Sequence, residues 1–361
     1  MRLVLIVAAL TVLSSSAHAT TWRVRTDGGG NFTTIQAGLA AAGSGDTVEV
    51  GCGTYHEAQL VMKSGVLLTS ATGSADCVTV DPASSGRGFW CSGVDSAATI
   101  RGFTVTNGLA TFGGGIYVGS LSRLAIERCV FRQDTADVGG GAYIHHSSPR
   151  LSACTMTADV ATSRGGGLAC EDDADPRFED CAIVGNRAGW EGGGVWCYLG
   201  SDATLRRCAI TGNAAASQGG GLHAFGSRPS LVSCTLAGNA AEEGGAVGLW
   251  RAAAAIDSSL LWGHCAAAGV TLLADSSSTV RFSCCDVDTA AGWRSGLGAV
   301  SWPGANLAVD PLFCAPAPCS AAPTGAGGYG LLPGSLCLPP GPGGCGRIGD
   351  PNAGTCPSAA P

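Results

Sequence analysis

Glycine triplets begin at Gly113, Gly139, Gly165, Gly192 and Gly219, with a Gly-Gly-Ala variant at Gly244. The spacing of 25 to 27 residues is too regular for a loop-rich globular chain and is the mark of a stacked repeat. Other ladders share the period. One is Cys129, Cys154, Cys181, Cys208 and Cys234, continued by Ser259. Five residues after each stands a polar residue: Asp134, Asp159, Asn186, Asn213, Asn239 and His264, with Asn107 one coil earlier. Three residues before each lies Ile126, Leu151, Phe178, Leu205, Leu231 or Ile256, and two after it Phe131, Met156, Ile183, Ile210, Leu236 or Leu261.

Each repeat contains two or three short stretches of period-two alternation and nothing of helical period. After every triplet the chain reads apolar, variable, apolar, as in Ile116/Val118, Leu168/Cys170 and Leu222/Ala224. Such a pair faces inward and the residue between them outward. A single coil cannot bury its inner face, but coils stacked about 4.8 Å apart bury it against one another. The pattern therefore predicts an all-β, single-stranded right-handed parallel β-helix of about nine coils in one rod. The Asn and Asp positions read as tight turns with left-handed backbone, their amides bonding from coil to coil. Ile35 to Ala42 reads as a helix capped by Thr33 or Thr34, lying over the open apolar end. Val48 to Val50 and Val66 to Thr69 read as the first strands.

The ends set the compartment. Arg2, the apolar run Leu3 to Leu13 and Ala17-His18-Ala19 form the charged, hydrophobic and small-x-small parts of a signal peptide. Residues 1–19 are assigned to it, 20–314 to the β-helix with its N-terminal cap, and 315–361 to a Pro/Gly/Cys-rich tail read as an irregular, disulfide-pinned cap. Export places the chain in the periplasm, at the cell surface or outside the cell. The mature chain has no apolar stretch long enough for a transmembrane anchor. Eighteen cysteines fit an oxidising compartment. The tail cysteines Cys314, Cys319, Cys337, Cys345 and Cys356 are expected to be oxidised, although five is an odd number and at least one must pair elsewhere or stay free. Those of the ladder are expected to be mostly buried thiols, because parallel Cβ vectors in stacked coils strain a bridge. Net charge is −7 with no basic block, so nucleic acid is not an expected partner.

Three stretches carry family resemblances. Asp27-Gly28-Gly29-Gly30-Asn31-Phe32-Thr33-Thr34-Ile35-Gln36, Gly45-Asp46-Thr47-Val48 and Gly53-Thr54-Tyr55-His56-Glu57 resemble the N-terminal cap of pectin methylesterases and related pectin-lyase-like β-helix proteins. The coils from Gly102 to His264 are similar to the repeats of chlamydial-type polymorphic outer-membrane proteins, with Cys181 and Cys208 where those repeats usually carry an aromatic residue. Val309-Asp310-Pro311-Leu312-Phe313 and Cys345-Gly346-Arg347-Ile348-Gly349 resemble the C-terminal end of bacterial right-handed β-helix repeat proteins. These resemblances imply the fold and export. The esterase resemblance would imply a Gln-Asp-Thr strand, a second Asp in Asp-Phe-x-Phe-Gly and an Arg in Gly-Arg-Pro-Trp. Gln133-Asp134-Thr135 matches the first by letter, but Asp134 falls on the turn ladder and the other two motifs are absent.

Two features remain as candidate sites. The residues between the inward pairs are Tyr117, Tyr143, Ala169, Trp196, His223 and Gly248, and the following turns add His145, His146, Tyr198, Phe225 and Trp250. Tyr117, Tyr143, Trp196 and His223 form an expected exposed strip on which sugar rings would stack, the competing reading being cross-coil stacking that stabilises the sheet. On the first reading Trp196→Ala weakens glycan binding without unfolding the rod. The second is Glu171-Asp172-Asp173-x-Asp175, hard oxygen ligands of the kind that hold Ca²⁺, against which stands a solvated turn. No catalytic set converges at matching positions of neighbouring coils. The sequence reads as a secreted or cell-surface β-helix of structural, adhesive or glycan-binding type, with extracellular polysaccharide or a cell-surface glycan as partner. The alternative is a carbohydrate-active enzyme, a polysaccharide lyase or hydrolase, on the same scaffold.

Overall fold

The structure, a computed structural model, describes residues 19–290 and 292–353. The stretch read as a signal peptide, apart from Ala19, and Cys356 lie outside the described residues. The chain winds into about eleven coils, whose strands line up as three long parallel sheets and one short one.

Sheet one has twelve strands, from Thr21–Val24 and Thr47–Val50 to Thr279–Ser283 and Ala299–Ser301. Ile126, Leu151, Phe178, Leu205, Leu231 and Ile256 are direct register partners along it and are almost wholly buried. Sheet two has ten strands and carries the inward line Phe131, Met156, Ile183, Ile210, Leu236 and Leu261. Sheet three, also ten strands, includes Phe89–Ser92, Ile116–Gly119, Ala142–His145, Leu168–Glu171, Val195–Tyr198, Leu222–Phe225 and Val247–Trp250. The fourth sheet was not expected: Leu109–Phe112, Thr135–Val138, Val160–Arg164, Arg187–Ala188 and Ala214–Ala215 pair in the stretch before the glycine triplets. The rod is longer than the nine coils expected, because coils outside the triplet repeat keep its register. Thr21–Val24 is itself a strand, paired with Thr47–Val50 ahead of those read as first.

Four left-handed turns recur along the coils, one of them just after the sheet-three strands, as at Ser120, His146, Leu199 and Arg251. The first glycine of each triplet has positive φ, and at Gly139 an added Cβ would stand 2.4 Å from the carbonyl oxygen of Ala142. A second left-handed residue precedes each ladder cysteine, as at Arg128, Ala153 and Asp180. The third precedes the Asn ladder, at Gln133, Ala158, Gly185, Gly212, Gly238 and Gly263. The expectation that the Asn and Asp residues themselves adopt left-handed backbone is therefore corrected, with Asn107 the exception. Their side chains point inward instead. The backbone NH of Asn186 donates to Asn213 Oδ1 at 2.9 Å and that of Asn213 to Asn239 Oδ1 at 2.9 Å. Each amide also donates to the next Oδ1 at 3.0 Å, which satisfies polar groups that would otherwise be stranded in the core.

The helix α1, Ile35–Ala41, closes the N-terminal end, with Ile35, Gly38 and Leu39 buried. Thr34 caps it, Oγ1 accepting from Ala37 NH at 3.4 Å. Glu57 accepts from the NH groups of Ile35 at 2.6 Å and Gln36 at 2.9 Å, so a carboxylate meets the unpaired donors of the first turn. At the other end the irregular tail runs back along the flank of sheet two. Phe313–Ala315 pairs antiparallel with Gly328–Leu331, and Phe313, Leu331, Cys337 and Ile348 pack on Ala237 and Leu260. Disulfides Cys265–Cys319 and Cys284–Cys345 pin it to the coils.

The ladder cysteines Cys129, Cys154, Cys181, Cys208 and Cys234 are buried free thiols, as expected. Of the five tail cysteines Cys319 and Cys345 pair outside the tail, and Cys337 stays free, a buried thiol donating to Asp286 Oδ2 at 3.1 Å. A further disulfide, Cys52–Cys77, joins two successive coils, just before the paired strands Gly53–Tyr55 and Val78–Val80. Among the described residues no helix is long and apolar enough to cross a membrane.

Candidate functional site

The outward positions of sheet three form a register line, Trp90, Tyr117, Tyr143, Ala169, Trp196, His223 and Gly248. Trp90 and Tyr117 stack with centroids 4.3 Å apart and planes 8° from parallel, and Tyr117 and Tyr143 stand 5.7 Å apart. The residues are thus brought together as the sequence suggested, and Trp90, which no triplet announces, extends the line. Their exposure is not as expected. Tyr143 is 4%, Trp196 3% and His223 1% exposed. The cause is the reversal at each glycine triplet, which folds the end of the fourth sheet back over them. Phe112 covers Tyr143 at 4.8 Å, the Arg164 guanidinium lies 5.3 Å from the Trp196 ring, and Glu191 stands 3.8 Å from His223 Nδ1. Burial lowers the His223 pKa to about 4, so the ring is neutral at pH 7. The strip is a second, outer core layer, and only Trp90 and Tyr117 at its N-terminal end remain half-buried.

Aromatic rings do reach the surface two residues further on. Tyr198, Phe225 and Trp250 are register partners at the ends of their strands. The first two are half-buried, and Trp250 is 39% exposed. Tyr198 stacks on Trp196 at 5.0 Å and leans on Phe225 at 5.3 Å.

The acidic cluster does not converge. Glu171 accepts the hydroxyl proton of the buried Tyr143. Asp172 Oδ2 lies 3.2 Å from His145 Nε2, and Asp175 Oδ1 accepts from Asp202 NH at 3.1 Å. Asp173 turns toward Gly200, where an added Cβ would meet its Oδ1 at 2.3 Å. With its members spent on different partners the four-carboxylate Ca²⁺ site is not formed. Among the described residues the one group of three or more metal-ligating atoms within 4.8 Å of one another is His145, His146 and Asp172.

A groove that the sequence reading missed crosses the outer face of sheet one. It holds about 810 Å³ and is lined by Arg123, Glu127, Arg150, Ser152, Arg177, Glu179, Thr204 and Arg206. Arg150 and Arg177 are register partners, as are Glu179 and Arg206. Glu127 pairs with Arg101 at 2.8 Å and Glu179 with Arg207 at 2.5 Å, both from outside the lining. Arg123, Arg150, Arg177 and Arg206 have no carboxylate within 4.0 Å among the described residues. Four guanidiniums without a direct carboxylate partner thus line the furrow over consecutive coils, with Asp175 and Asp202 along its adjoining side. The signal in the sequence was an Arg two to six residues before each of Cys129, Cys154, Cys181 and Cys208, hidden because only the inward neighbours keep a constant type.

Gln133-Asp134-Thr135 forms no esterase centre: Asp134 is wholly buried within the turn ladder, its Oδ1 accepting from Gly108 NH at 2.7 Å. Burial pushes its pKa to about 8.

The profile of the family described as "Right handed beta helix region" matches residues 87–289, more than half of the chain, and the chain belongs to that family. Among solved structures it is similar to the pectate lyase Pel9A, with a TM-score of 0.52, 14% identity, and 96% of this chain and 94% of that one covered. The A-module of the mannuronan C-5 epimerase AlgE4 of Azotobacter vinelandii gives a TM-score of 0.42 at 14% identity over 76% and 91%. The pectin methylesterase of Aspergillus niger gives 0.35 at 14% over 82% and 87%. At these identities the shared feature is the scaffold. No curated protein sequence matches the chain.

Proposed function

We propose that this protein binds an extended anionic polysaccharide along the groove of sheet one and does not cleave it. The observation that carries this reading is the unpaired arginine series Arg123, Arg150, Arg177 and Arg206. A guanidinium presents a planar fork of donors that matches a carboxylate or sulfate. Arg150 and Arg177 stand one coil, about 4.8 Å, apart in direct register, and Arg123 and Arg206 lie on the flanking coils two residues to either side of that line. That interval suits successive sugar units of a chain lying along the rod. Ser152 and Thr204 add hydroxyl partners for sugar oxygens. A catalytic reading needs an acid and a base converging on one bond, and both groove carboxylates are held by arginines outside it. An exported chain would meet such polymers at a cell surface or in a matrix, in keeping with an adhesive or structural role.

Binding of the purified mature chain to polyuronates, sulfated glycans and neutral glucans, measured at rising salt, tests this. Affinity should favour the anionic polymers and fall with ionic strength. The double variant Arg150→Gln/Arg177→Gln should lose at least about tenfold, since a hydrogen bond to a charged group contributes about 1.5–3 kcal/mol. Equal affinity for neutral glucan would overturn the proposal, and release of unsaturated sugar or methanol by the wild type would restore the enzyme reading.

A further inference from the structure

The geometry points to a divalent transition-metal site, of the Zn²⁺ class, formed by His145, His146 and Asp172 at the corner between sheets three and one. His145 is the last residue of the strand Ala142–His145, and His146 follows in a left-handed conformation with φ of 46°. That turn swings the second imidazole round, so the two rings meet edge to face with centroids 4.8 Å apart. Asp172 belongs to the next coil, and it too is left-handed, with φ of 54°. The same left-handed turn recurs after the sheet-three strands of other coils, at Ser120, Leu199 and Arg251, and here two successive coils use it to set donors side by side. His145 Nε2 and Asp172 Oδ2 are 3.2 Å apart, and one ligand atom from each of the three residues lies within 4.8 Å of the others.

The distances suit the ion. Two ligands about 2.0–2.1 Å from a tetrahedral Zn²⁺ stand about 3.3 Å from each other, close to the His145–Asp172 separation. His146 is exposed, so rotation of its ring brings in the third donor without disturbing packing. Two imidazoles and one carboxylate form a donor set for Zn²⁺, Co²⁺, Ni²⁺ or Cu²⁺, whereas Ca²⁺ requires six to eight oxygens. Three protein ligands leave a coordination position for water or for a ligand oxygen. The ring of His145 is also braced, lying nearly parallel to Tyr143 at 6.2 Å, 11° between the planes. Tyr143 is in turn hydrogen-bonded to Glu171 beside Asp172. The ion would tie two successive coils together, independently of any polysaccharide in the groove.

Isothermal titration of the mature, metal-stripped protein with Zn²⁺ tests the site, with Co²⁺ absorption as a second reading of the donor set. One-to-one binding is expected, with Ca²⁺ unable to compete at equal concentration. His146→Gln and Asp172→Asn should each weaken it by about tenfold or more, since loss of even a supporting partner of a ligand costs that much. His56→Gln, which alters the separate His56–Asp81 pair, should leave it unchanged. Far-UV circular dichroism checks that each variant is folded. Saturable binding that survives both His146→Gln and Asp172→Asn, displacement by Ca²⁺, or no one-to-one binding by the wild type would each refute the assignment.

Discussion

Asp134 and Asp159 occupy positions where the next three coils have asparagine, and the substitution changes the chemistry of the core. In the Asn coils the side-chain nitrogen donates to a backbone carbonyl, as Asn186 does to Met156 at 3.0 Å. In the two Asp coils the second oxygen, Oδ2, is buried and has no partner. A neutral carboxylic acid carries the missing proton there; a carboxylate would be an unsatisfied buried charge. Burial accordingly raises both pKa values, that of Asp134 to about 8. The unfolded chain gives up these protons near pH 4 while the folded protein keeps them. The stability that each contributes is therefore fully present below pH 4 and is lost as pH rises, for Asp134 through about 8. Asp134→Asn and Asp159→Asn should each stabilise the protein by about 1–2 kcal/mol at pH 8 and leave it little changed at pH 4. Urea unfolding at the two pH values measures this, and equal shifts at both would refute it. Trp196 behaves as a core residue despite pointing outward, so Trp196→Ala should cost about 3 kcal/mol, whereas Trp250→Ala should cost less than about 1 kcal/mol. Thermal unfolding of the two variants separates them.

At the scale of elements, three of the four sheets were legible because each coil repeats one apolar pair per strand, and a register error would expose a whole line of side chains. The fourth sheet was not. Its strands, such as Thr135–Val138 and Arg187–Ala188, carry polar and small residues, pack only one side, and show no alternation. That omission is why the Tyr117, Tyr143, Trp196 and His223 strip read as surface: the residues that bury it, Phe112, Arg164 and Glu191, stand beside the triplets but declare no structure of their own. The groove was missed for the complementary reason, since an outward face needs no constant residue type. The triplets themselves were legible as turns, and their requirement can be measured. Gly139→Ala places a side chain at positive φ against the Ala142 carbonyl and should destabilise by about 1–2 kcal/mol or more. Gly263→Ala, also at positive φ but with open space around its Cβ, isolates the backbone contribution and should cost less. Equal losses in denaturant midpoints would show that crowding at the triplet is not the constraint.

Over the whole molecule, stability is a sum of coil-to-coil contacts, and a rod of this kind is as secure as its ends. The N-terminal end has α1 with its buried Ile35 and Leu39. At the other, Trp302 stacks on Phe282 at 4.8 Å where the regular coils stop. The tail then touches sheet two at several heights: Thr324 NH donates to the Gly212 carbonyl, Gly349 NH to that of Ser258, Asp350 NH to Thr235 Oγ1, and Asn352 Nδ2 to Asp180. Because its near part is fixed covalently at Cys265 and Cys284 and its far part reaches Asp180, the tail acts as a gauge of coil number. Whole repeats are interchangeable in register, so excising residues 130–154 joins Cys129 to Thr155 and leaves every tail contact in place. Excising 209–234 joins Cys208 to Thr235 equally well, yet removes the Gly212 rung and leaves the tail one coil too long for its anchor at Asp180. The first deletion should preserve protection of the tail amides from hydrogen exchange and the second should abolish it near residues 350–353. Growth or loss of repeats is then free on the N-terminal side of Asp180 and metered beyond it.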